Sequence, residues 1–138
     1  MNRRDFLFTG LAAGLTVPVL AHAAFAAPPA GTTPDIHVVY VGGWDCPYCI
    51  VWKNEYKANW IASETFKKVR WTEVDPPHLR EAYQERYWQG ELVAIREQLP
   101  KKSGTPRFVV LRDGKVVSNE LGVNKWENSV VVIRSLLG

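Results

Sequence analysis

Two cysteines in 138 residues leave no material for a disulfide framework, and one cysteine pair with three scattered histidines lacks the second ligand pair of a usual zinc centre. A large charge excess is also missing. Seventeen basic against 14 acidic residues give +3, and the basic residues are scattered apart from Arg3-Arg4, Lys67-Lys68 and Lys101-Lys102. Such a balance argues against a nucleic-acid partner. The longest apolar stretch, about Phe6 to Ala21, is broken by Gly10, Gly14 and Pro18, too short and too interrupted for a membrane span. Internal repeats, low-complexity tracts and flavin or nicotinamide fingerprints are lacking too. What is present, 46% apolar and 22% charged residues, suits one globular domain and excludes disorder. Six Trp and five Tyr are unusual in so short a chain, and several are expected on a partner-facing surface.

The amino end reads as an address. A charged start, a short apolar middle and a small-x-small close, with cleavage after Ala23 or Ala26, are the parts of an export signal. Arg3-Arg4-Asp5-Phe6-Leu7 resembles the bacterial twin-arginine signal, with Asn2 and Phe8 departing from its usual flanks. That resemblance implies export by the twin-arginine machinery to the periplasm, where disulfide chemistry is possible. The division expected is a signal over 1–26, a Pro/Ala/Gly/Thr linker over 27–35 and one domain over 36–138.

Within that domain, Ile36–Val41 and Val69–Asp75 read as strands, the first bounded by Gly42-Gly43 and the second by Pro76-Pro77. Pro47 suits the first turn of a helix running to Ala62, with Trp52, Tyr56 and Trp60 along one face. Leu79 to Leu99 predicts two helices broken near Gly90, the first carrying an apolar row of Leu79, Tyr83 and Tyr87, with Pro100 ending the second. Arg107–Leu111 and Lys115–Ser118 flank Asp113-Gly114 as a hairpin. Lys125–Leu137 closes the chain as an amphipathic helix presenting Trp126, Val130, Ile133 and Leu137. The order β-α-β-(α-α)-β-β-α argues for a parallel pair followed by an antiparallel hairpin, an α/β fold.

The chemistry sits at Cys46-Pro47-Tyr48-Cys49, between a strand and a helix. A thiol at a helix amino end faces unpaired N–H groups and the positive end of the dipole, which favour thiolate. Cys46 is therefore the candidate nucleophile and Cys49, just inside the helix, the resolving thiol. A bare pair at this spacing also fits half a zinc site, with His37 or His78, or a structural disulfide. Zinc lacks its remaining ligands, and so small a loop gains little from closure.

Gly104-Thr105-Pro106, ahead of a hydrophobic strand, is the second piece. Together with the cysteine pair it resembles the Thr–cis-proline element of the thioredoxin superfamily, and the likeness spans about Ile36 to Leu137. It implies a thioredoxin-like fold: a four-stranded mixed sheet flanked by helices, with an inserted helical segment before the cis-proline loop. It further implies that Pro106 packs beside the cysteines and that Thr105 pairs its backbone with substrate. Trp44, Pro47 and Tyr48 complete the expected substrate surface. Cys-Pro-Tyr-Cys-x-x-Trp, with Val74-Asp75 and Gly-Thr-Pro, is similar to small periplasmic thioredoxin-like proteins of bacterial sulfur-oxidation systems.

The activity implied is thiol–disulfide exchange with protein substrates, as a reductase supplied by a membrane thiol-transfer protein and without a cofactor or metal. A disulfide-donating oxidase, a glutathione-dependent enzyme and a non-catalytic binding module are the alternatives. Two departures matter. Tyr40 stands where thioredoxins place a buried Asp, and Leu121-Gly122-Val123-Asn124 lacks the Gly-Gly and Asp of glutathione binders. Asp45, beside Cys46, reads as a solvated loop residue whose charge opposes the helix terminus.

Overall fold

The computed structural model describes residues 33–100 and 104–138. The expected signal and most of the linker lie outside the described residues. Four strands form one sheet in the order β2-β1-β3-β4: β1 Ile36–Val41, β2 Arg70–Val74, β3 Arg107–Arg112 and β4 Lys115–Leu121. β1 runs parallel to β2 and antiparallel to β3, and β3 antiparallel to β4, the mixed arrangement expected from the sequence.

Every residue of β1 is buried, because the strand is central and covered on both faces. Alternation then sorts its side chains. Ile36, Val38 and Tyr40, with Phe108 and Val110 of β3, face one core that contains Cys46 and Cys49. Val39 and Val41, with Val109 and Leu111, face the other.

The first core is closed by two helical stretches. One runs from α1 (Pro47–Trp52) through a π-helical turn (Lys53–Lys57) into α2 (Ala58–Ala62). Lys53 and Lys57 in that turn pair with Asp75 and Glu73 at 2.5 and 2.8 Å, tying the helix to the β2 end. The other, α4 (Trp126–Leu137), buries Trp126, Val130 and Ile133 along the predicted stripe. Between helices and sheet lies an aromatic cluster. Trp52 stacks on Tyr40 at 4.5 Å, and Trp126 meets Trp52 and Trp60 edge-on at 5.3 and 5.2 Å.

That cluster corrects one expectation. Trp52, Trp60 and Trp126 are buried with Trp71 packed against them, and Trp88 is buried in the other core, so of the six indoles only that of Trp44 (64% exposed) is largely open to solvent.

A second correction concerns the inserted segment. α3 (Leu92–Gln98) forms after Gly90, which adopts φ 62°, but no α-helix lies between β2 and Gly90. Leu79–Glu81 and Glu85–Tyr87 are single 3₁₀ turns. Side chains override the helical pattern there: Trp88 Nε1 donates to the Ala82 carbonyl at 2.7 Å, Tyr87 to Glu81, and Arg96 to the Tyr83 carbonyl at 2.8 Å. Ala82 and Trp88 are buried in place of the predicted row, whose Leu79 is exposed. At the hairpin, Asp113 and Gly114 both take positive φ, as a two-residue turn of this hand requires. β4 extends to Leu121, beyond the expected Ser118, past an irregularity in register opposite Val110/Leu111.

Candidate functional site

The Gly42–Asp45 loop delivers Cys46 to the start of α1. Cys46 caps that helix with φ −86° and ψ 114°, and Pro47 follows at its first position, where a missing N–H costs nothing. Cys46 and Cys49 are joined in a disulfide, their Cα atoms 5.1 Å apart. Both are buried. Only Cys46 keeps any exposure, 2% against 0%.

Two donors converge on the Cys46 sulfur: the Cys49 N–H at 3.1 Å and the Thr105 hydroxyl at 3.2 Å. Donors aimed at a sulfur favour its anion once the disulfide opens. The Thr105–Pro106 bond is cis and Pro106 is buried, so the loop before β3 lies against Cys46. The Gly122 N–H closes that loop from the far side, donating to the Pro106 carbonyl at 2.8 Å. Cys46, Cys49, Thr105 and Pro106 are thus brought together. Trp44, Pro47 and Tyr48 lie around them on the surface, exposed, Tyr48 at 65%.

Tyr40, on β1, lies beneath this site. Its hydroxyl is buried without a hydrogen-bond partner among the described residues. Burial, reinforced by the charges of Asp75 and Glu73, pushes its ionisation far above the ordinary tyrosine value. A phenol held neutral in this way accepts no proton from Cys49 at neutral pH.

Asp45 is exposed as expected, yet it is not free. Its carboxylate accepts from the Leu79 N–H at 2.6 Å and from His78 Nδ1 at 3.3 Å, and those bonds hold its pKa below the ordinary range. The Trp44 N–H donates to the Pro76 carbonyl at 3.0 Å along the same seam. Sequence reasoning missed this anchoring, because 34 residues separate the partners and no local pattern marks them. Tyr83, read from the sequence as part of an apolar row, also reaches the cis-proline loop through the Gly104 carbonyl, a contact hidden for the same reason.

The sequence matches no protein-family model and no curated protein. Solved structures do resemble the fold. Thioredoxin f from spinach chloroplast is 15% identical with a TM-score of 0.51, over 76% of this chain and 79% of that one. The Malassezia sympodialis thioredoxin is 15% identical with a TM-score of 0.52, over 75% and 76%. The reduced periplasmic thioredoxin SoxS from Paracoccus pantotrophus aligns more loosely, at 13% identity and 0.48, over 75% and 97%. The chain therefore has an α/β thioredoxin-like fold, a four-stranded mixed sheet with flanking helices. It carries a disulfide between Cys46 and Cys49, an arrangement consistent with thiol–disulfide redox activity.

Proposed function

We propose that this chain is a periplasmic thiol–disulfide oxidoreductase that reduces protein disulfides. The observation that carries the reading is the pair of hydrogen bonds converging on Cys46 at the start of a helix. With the pair reduced, the Cys46 thiolate attacks one sulfur of a substrate disulfide. A new S–S bond forms to Cys46, the substrate bond breaks, and its second sulfur leaves as a thiolate that takes a proton from solvent. Cys49 loses its proton and attacks Cys46, closing the intramolecular disulfide and releasing the first substrate sulfur as a thiol. Substrate gains two electrons and the chain loses two. An external dithiol, of the membrane thiol-transfer class, restores them by the reverse exchange.

Thr105 and Pro106 offer the edge along which a substrate main chain would lie, with Trp44, Pro47 and Tyr48 as the apolar surround. Location in the periplasm is supported by the export-like character of residues 1–26.

The test is a trap in cells producing the full chain. Cys49→Ser is expected to accumulate mixed disulfides through Cys46, identifiable by mass spectrometry as periplasmic proteins, while Cys46→Ser abolishes turnover and traps nothing. Equal function in Cys46→Ser would instead indicate a binding module. The Cys46–Cys49 potential assigns direction: about −270 mV fits a reductant, about −120 mV a donor of disulfides.

A further inference from the structure

The segment between β2 and β3 touches both loops of the site. Toward Cys46 it does so through Asp45 and Leu79, as described. Toward Thr105 it does so through one hydroxyl. Tyr83 Oη donates to the Gly104 carbonyl at 2.6 Å, one residue before Thr105. The same oxygen accepts from Arg107 Nε at 2.7 Å, one residue after Pro106. Arg107 is 5% exposed and also donates from Nη1 to Asn119 Oδ1 of β4 at 2.7 Å. The Tyr83 ring is itself held, stacked on Trp88 at 6.0 Å.

One oxygen therefore bridges the residues on either side of the Thr105–Pro106 peptide. We propose that Tyr83 is a positioning residue for the exchange reaction: its hydroxyl fixes the loop so that Thr105 donates to the Cys46 sulfur. The inference rests on the exchange reading above. A hydrogen bond weakens steeply once length or angle drifts. A bond to an ionised sulfur is stronger than one to a neutral thiol, so its loss falls on the reactive form.

The experiment compares alkylation of Cys46 by iodoacetamide in reduced protein carrying Cys49→Ser, across pH. Tyr83→Phe keeps the ring and removes only the bridge. It is expected to move the thiolate midpoint upward and slow alkylation at pH 7 roughly three- to tenfold. Tyr87→Phe, whose hydroxyl donates to Glu81 at 3.0 Å and sits beside Arg86, is the control and stays within about twofold. Thr105→Val slows the reaction too, and adding Tyr83→Phe to it slows it no further, because the hydroxyl acts through Thr105. Should Tyr83→Phe fail to fold, Asn119→Ala, which removes an acceptor of Arg107, is read by the same cycle with the same direction expected. Unchanged Cys46 reactivity in Tyr83→Phe, or a full additional loss in the Thr105→Val background, overturns the inference alone. Ordinary thiol reactivity in the parent overturns the exchange reading itself.

Discussion

Tyr40 and His37 are two buried polar residues of the central strand, and each has a separate consequence for stability. The buried Tyr40 hydroxyl has lost water and gained no protein partner, while its ring stacks on Trp52. Tyr40→Phe keeps the stack and removes the unpaired group, so unfolding free energy is expected to rise by about 1 kcal/mol in urea titration. A loss of that size would mean the hydroxyl is hydrogen-bonded. His37, also buried, bonds Thr72 at 2.8 Å. Burial, and then the nearby Arg70 charge, lower its pKa from 6.5 against the opposing pull of Glu91 and Asp35. The unfolded chain therefore binds this proton first, and the stability contributed at neutral pH is lost as pH falls below 6.5. Asp35, held below its ordinary 3.8 by the Arg70 hydrogen bond, loses its contribution only in the more acidic range. Urea midpoints of His37→Gln are expected to flatten between pH 7 and 5 while the parent declines. Parallel profiles would contradict this.

Among the elements, the seam between the Cys46 loop and the inserted segment is the one the site depends on. Gly43 lies so close to Leu79 that a Cβ would stand 2.6 Å from the Leu79 Cα and 2.7 Å from its nitrogen. Backbone cannot yield as a side-chain tip can. Gly43→Ala is expected to cost about 1–3 kcal/mol in urea unfolding and to slow Cys46 alkylation, because Asp45 and Trp44 are bonded across the same seam. A destabilised variant with unaltered Cys46 reactivity would show that the seam supports the fold but not the site. This seam also marks what the sequence could disclose. The β-branched and aromatic run of Ile36–Val41 and the stripe of α4 are local patterns, so both elements were legible. The Leu79–Tyr87 stretch has helical spacing, but hydrogen bonds from Trp88, Tyr87 and Arg96 set its shape, and none of them is visible in periodicity. The cysteine pair and Gly104-Thr105-Pro106 stood out as motifs. Tyr83 and Asn119 join them only through long-range contacts, and the bonds that anchor Asp45 and Arg107 are long-range too.

At the scale of the molecule, the sheet divides the labour. One face holds the aromatic core that encloses Cys49 and the buried side of Cys46. The other carries the inserted segment that braces both site loops from outside. The fold thus presents a nearly enclosed disulfide at the edge of a buried aromatic core. Its reactivity depends on a sulfur that stays ionised when the pair is reduced. The direct measurement is the pH dependence of Cys46 alkylation in the reduced protein. The account predicts a thiolate midpoint well below the free-cysteine value of about 8.5, with alkylation already fast near pH 7. A midpoint at or above about 8.5 would contradict it.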